Sequence, residues 1–124
     1  MASYTPVLIG ADTLSAVVGD IFRANGCDPA EADRIAHHLL GANLAGHDSH
    51  GVARVPRYVE WQQAGYVIAG QQAEVVTDGG AFAVLDGHFG FGQTDFLAAP
   101  LGQAHVLYFV RNVRLRRGFQ RDII

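Results

Sequence analysis

Residues 24–31, Ala-Asn-Gly-Cys-Asp-Pro-Ala-Glu, stop one helix and start another, and no other stretch restricts the fold as tightly. Gly26 supplies a left-handed helix exit. Asp28 is an N-cap acceptor, Pro29 sits at the first helical position, and Glu31 places an acid three residues past the cap. Upstream, residues 12–26 repeat Leu14, Val17, Val18, Ile21 and Phe22 at the spacing of one buried helix face, with Asp12 placed to cap the free N–H groups. Downstream, Ala32, Ile35, Ala36, Leu39, Leu40 and Asn43 continue a second helix to Ala45, and Gly46 ends it. Two helices joined this closely are expected to pack as an antiparallel pair.

Residues 49–64 predict a third helix, with Asp48 or Ser49 as its cap. Pro56 interrupts that pattern, because an interior proline removes a backbone hydrogen bond and clashes with the preceding turn. The expectation is a short turn holding His50 and Arg54, then a helix from about Pro56 that carries Tyr58, Val59 and Trp61 and ends before Gly65. After Gly70 the period changes to that of strands. Residues 73–77 and 81–85 are β-type runs around the turn Asp78-Gly79-Gly80. Residues 86–93 form a glycine-punctuated loop. Residues 106–110 have strand character, and the arginines after them follow no period.

With 49% hydrophobic and 17% charged residues among 124, the chain can bury a core. Its one cysteine, Cys27, rules out an internal disulfide framework and reads as a small inert residue. The N-terminus has no basic, apolar signal-peptide pattern, and no run approaches the roughly 20 apolar residues of a membrane span. A cytoplasmic protein is expected. Charge is uneven. Up to Gln93, ten carboxylates face four arginines, whereas the tail holds Arg111, Arg114, Arg116, Arg117 and Arg121 against Asp95 and Asp122. An arginine tail can bind nucleic acid, but the acidic remainder argues against it, and no nucleic-acid or membrane partner is expected.

Chemistry concentrates in residues 46–58. His47-Asp48-Ser49-His50 contains the members of a hydrolase triad, yet adjacent residues cannot form the relay. His37, His38, His47 and His50 lack zinc-ligand spacing, so no metal is expected. Gly87-His88-Phe89-Gly90-Phe91-Gly92 lacks the glycine spacing of a dinucleotide fingerprint and reads as a tight loop with packed aromatics. His50 and Arg54 stand at i and i+4, which on a helical turn puts them on one face. An imidazole can exchange a proton at neutral pH, and a guanidinium can grip a carboxylate through two hydrogen bonds. That pair suits reduction of a 2-oxo acid, with the histidine protonating the developing alkoxide. On spacing alone, a helix-start histidine beside a surface arginine is the competing reading.

The segment NLAGHDSHGVARVPRYVEWQQAG resembles the signature of the malate/L-lactate dehydrogenase family, the group distinct from Rossmann-fold lactate and malate dehydrogenases that also holds ureidoglycolate and sulfolactate dehydrogenases and reductases of cyclic imino acids. The capped helix pair before it and VVTDGGAFAVLDGHFGFGQ after it follow the same order, so the likeness covers about residues 8–93. It implies an α+β chain: a helical subdomain of three helices (residues 1–68), then the first hairpin (69–93) of an α/β cofactor domain. It implies an oxidoreductase using NAD or NADP on a small 2-hydroxy acid and its 2-oxo acid, usually a homodimer. His50 matches the family's proposed acid/base, Ser49 its polar neighbour, and Arg54 its contact to the substrate carboxylate. Gly51, Pro56 and Tyr58 match motif positions read as structural. No cofactor-binding residue is assigned.

After Gln93 the likeness ends. The family continues with an alanine-rich helix, a strand and an Asn-rich segment bearing another active-site histidine, and His105 has no such context. A shifted reading frame in GC-rich DNA produces this kind of break, and so does divergence or a recombined gene end. Residues 94–124 are therefore expected to lie outside the family's pattern, the hairpin to lack its partner strands, and the truncated chain to be inactive. A reading from a different class is a non-catalytic helical module that keeps the family's oligomerisation surface.

Overall fold

The computed structural model describes residue 5, residues 7–80 and 82–93, and the backbone of 107–111. Helix α1 spans Ala11–Ala24 and α2 spans Pro29–Leu44. Asp12 is not the cap of α1. The helix begins one residue earlier than its apolar pattern suggests, from an extended Gly10 whose carbonyl accepts the Leu14 N–H at 2.9 Å, which leaves Asp12 in the first turn. The cap of α2 is as expected: Asp28 Oδ1 accepts the Glu31 N–H at 2.9 Å, with Pro29 at the first helical position.

Both helices close by one device. Gly26 (φ +98°) and Gly46 (φ +81°) adopt the left-handed conformation that glycine enters without strain. The next residue then folds its N–H back into the last turn: Cys27 onto the Phe22 carbonyl at 3.1 Å and His47 onto the Ala42 carbonyl at 2.8 Å. The chain thereby reverses tightly, and α1 packs against α2. Val18 and Phe22 face Ala32, Ile35, Ala36 and Leu39 in the core. Val17 lies outside it, half exposed on the flank of the stripe.

Two 3₁₀ turns, Asp48–His50 and Val52–Arg54, lead into α3, Val55–Gln63. Pro56 falls in the first turn of α3, where its missing N–H costs no bond. Val55 is buried in the core, with Tyr58, Val59 and Trp61 packed partly against it. Buried Glu31 accepts the Gly70 N–H on Oε2 at 2.9 Å, tying the start of α2 to the turn after α3.

Strand β1, Glu74–Asp78, pairs antiparallel with β2, Phe82–Asp86, and a bulge at Val76 shifts their register. Each strand lies one residue later than its apolar pattern suggests, because the Gly79 N–H bonds the Phe82 carbonyl at 2.8 Å and closes the turn there. The hairpin is not alone. Strand β3, Leu107–Arg111, pairs parallel with β2, so the sheet order is β1-β2-β3. The other residues beyond Gln93, including His105, lie outside the described residues.

The glycine-punctuated loop returns to the helices. Phe89 accepts the Ile68 N–H on its carbonyl at 2.9 Å. Phe91 is buried edge-on against Phe22, ring centroids 5.6 Å apart. Among the described residues, no helix is long and apolar enough to cross a membrane.

Candidate functional site

The site is built where α2 ends. Gly46 turns the chain out of the helix, and the His47 carbonyl accepts the His50 N–H at 2.9 Å, forming the turn that carries Asp48, Ser49 and His50. Neither Asp48 nor Ser49 caps a helix here. Asp48 Oδ1 accepts the side-chain amide of Asn43 at 2.7 Å, while the Ser49 hydroxyl lies 3.0 Å from His50 Nδ1.

His50 and Arg54 do not share one helical turn. Gly51 is extended (ψ −149°) and separates the two 3₁₀ turns. The Val52 N–H is taken by Asn43 Oδ1 at 2.8 Å instead of continuing a helical ladder. Ser49 joins the two residues instead. Its hydroxyl meets the His50 ring, and its carbonyl accepts Arg54 Nε–H at 2.7 Å. Ser49 and His50 are exposed and Arg54 is half-buried. Among the described residues, no carboxylate pairs with the guanidinium of Arg54; the ion pairs of Arg23 and Arg57 lie on other helix faces.

This arrangement has a chemical consequence. With Nδ1 of His50 engaged by Ser49, Nε2 is the ring nitrogen left for proton exchange. With Nε of Arg54 held by a carbonyl, the two terminal nitrogens remain for an anion. One backbone segment thus presents a proton-exchanging group and a fixed cation together.

Sequence pattern alone missed two features. Asn43 is one: it falls on the apolar stripe of α2, and a carboxamide among alanines and leucines just before a glycine-rich motif was the available signal. The other is an open cavity of about 300 Å³ lined by residues that include His38, Tyr58, Trp61, Val67, Phe91 and Gln93. Tyr58 and Trp61 stack at 5.8 Å, and the Tyr58 hydroxyl accepts Gln93 Nε2–H at 3.0 Å. His50 and Arg54 do not line this cavity. Cys27 is buried beside Glu31, and burial first, then that carboxylate, push its thiol up to about 12. It is a neutral thiol at physiological pH, not an activated nucleophile.

The profile of the family described as malate/L-lactate dehydrogenase matches residues 9–100. Hydroxycarboxylate dehydrogenase B of Escherichia coli K12 is 39% identical over 98 residues, covering 77% of this chain and 27% of that protein. Malate dehydrogenase of Pyrococcus abyssi is 34% identical, covering 70% and 24%. Among solved structures, malate dehydrogenase from Pyrococcus horikoshii superposes with a TM-score of 0.67 at 30% identity, covering 73% of this chain and 27% of that one. The Δ1-piperideine-2-carboxylate reductase of Pseudomonas syringae gives 0.66 at 29%, covering 75% and 28%. The chain therefore spans about a quarter of the length of the curated relatives it matches.

Proposed function

The chain belongs to the malate/L-lactate dehydrogenase family, and we propose that residues 46–58 form the proton-transfer and carboxylate-binding part of an oxidoreductase interconverting a small 2-hydroxy acid and its 2-oxo acid. The observation that carries this reading is the Ser49 bridge, which engages His50 Nδ1 and Arg54 Nε and leaves His50 Nε2 and the terminal nitrogens of Arg54 for a ligand on one short segment. Arg54 holds the substrate carboxylate through paired hydrogen bonds. His50 gives a proton to the carbonyl oxygen as it becomes an alkoxide, and takes it back in the reverse direction. Ser49 fixes the imidazole ring. The names of the relatives, which include malate, L-sulfolactate and L-lactate dehydrogenases, support this substrate class.

In such chemistry a nicotinamide dinucleotide, NAD or NADP, supplies or accepts the hydride. The cavity beside Tyr58 is at the small end of ligand pockets and touches neither His50 nor Arg54. The work assigned to this segment is proton and carboxylate handling, in a homodimer as the family resemblance implies.

Titration of pyruvate into ¹⁵N-labelled protein tests this reading at the backbone N–H resonances of Ser49 and His50. A saturable shift that disappears in Arg54→Leu and persists in Arg57→Leu is the expected result. A shift unchanged in Arg54→Leu overturns it.

A further inference from the structure

We propose that Asn43 is a positioning residue for this site, clamping the His50 turn and the Arg54 turn to the end of α2. The proposal rests on the reading of His50 and Arg54 given above, but its geometry stands independently. Asn43 Nδ2 donates to Asp48 Oδ1 at 2.7 Å, in the first 3₁₀ turn. Its Oδ1 accepts the Val52 N–H at 2.8 Å, at the start of the second. One carboxamide therefore grips the chain on both sides of Ser49, His50 and Gly51. Gly51 completes the clamp, since a Cβ there would overlap the Asn43 carboxamide.

The chemistry is specific to asparagine. The position needs a donor and an acceptor on one short planar group. Aspartate supplies only acceptors and sets a second carboxylate against Asp48. Leucine supplies neither, and glutamine is one methylene too long. Asn43 also accounts for the break in the helical pattern, because its bond to Val52 N–H takes the donor that would otherwise continue a helix through Gly51. Asp48, Ser49 and His50 are exposed, so little core packing holds this turn in place. Releasing the clamp should loosen the site more than it weakens the fold.

The test compares Asn43→Asp with the exchange Asn43→Asp/Asp48→Asn, in which the carboxylate at position 43 accepts from both the carboxamide at position 48 and the Val52 N–H. Hydrogen exchange at Val52 N–H and Arg54 Nε–H is read by NMR, with the Ile35 and Leu39 methyl signals reporting the core. Asn43→Asp is expected to speed both exchanges at least tenfold while the methyl signals persist, and the exchanged pair to restore most of the protection. Gly51→Ala, which leaves Asn43 intact, is expected to reproduce the loss and serves if Asn43→Asp does not fold. Unchanged exchange in Asn43→Asp, or no recovery in a folded exchanged pair, overturns the proposal. Pyruvate binding separates the two readings. Parent protein that shows the clamp but binds no pyruvate refutes the proposed function alone. Asn43→Asp protein that binds pyruvate as the parent does refutes the positioning role alone.

Discussion

Arg54 Nε–H donates to the carbonyl oxygen of Ser49 at 2.7 Å, so the residue whose hydroxyl meets the His50 ring also holds the arginine. Because that acceptor is backbone, Ser49→Ala should leave Arg54 in place and remove only the partner of His50 Nδ1. In NMR spectra the Arg54 Nε–H signal should hardly move, while the His50 ring signals should shift. Arg54→Lys should behave differently. Lysine cannot bond the carbonyl and fork onto a carboxylate together. Charge-assisted hydrogen bonds are worth about 1.5–3 kcal/mol, so pyruvate binding should weaken by about tenfold or more.

Cys27 gives the fold a pH dependence in the alkaline range. Its thiol is pushed up to about 12 in the folded chain, mainly by burial. Between its ordinary range and that value the folded state keeps the proton and the unfolded state loses it. The contribution to stability is therefore complete below the unfolded pKa and falls as pH rises toward about 12. Urea midpoints at pH 8 and pH 11 should drop less in Cys27→Ala than in the parent. A thiol-reactive disulfide reagent at pH 7.5 should label the parent only after unfolding.

Phe91 ties the glycine-punctuated loop to the helix pair through its edge-on packing with Phe22. Large-to-small changes at buried phenylalanines cost about 3–5 kcal/mol, a large share of the stability of a domain this size. Phe91→Ala should lower the thermal midpoint steeply or unfold the helices. Phe91→Leu should be much milder. Circular dichroism melts distinguish this from a loop that merely rests on the surface, for which both variants would melt like the parent.

Two helix-end substitutions separate stability from site geometry. Asp28→Ala removes the cap of α2 and should cost about 1 kcal/mol. Gly46→Ala forces a side chain into a backbone at φ +81° and should cost about as much. Only Gly46→Ala lies on the path from Asn43 to His50. It should disturb the Arg54 Nε–H signal, while Asp28→Ala should leave that signal unchanged.

The helix pair was legible because its signals are local. Asp28, Pro29, Gly26 and Gly46 each act within one turn, and the spacing of Val18, Phe22, Ile35 and Leu39 names the buried faces. The strand at residues 107–111 was visible as a run of β-formers, but its parallel pairing with β2 was not, since pairing depends on chain far away. The site was half legible. Spacing brought His50 and Arg54 into view but assigned them to one helical turn, because periodicity carries no information about Gly51 and the Asn43 bond that interrupts it. Asn43 itself passed as one more position on the apolar stripe. Asp48 and Ser49 passed as helix caps, a role their side chains fill in many proteins, although here they face Asn43 and His50.

The central claim is that His50 and Arg54 act on the two ends of one small molecule. The direct test follows both residues while the protein is titrated with pyruvate and, separately, with propionate, which has the carboxylate but not the oxo group. Both acids should shift Arg54 Nε–H, and pyruvate alone should also shift the His50 ring signals, along the same saturation curve as Arg54. If the two acids move His50 equally, or if pyruvate moves His50 and Arg54 along different curves, the account is contradicted.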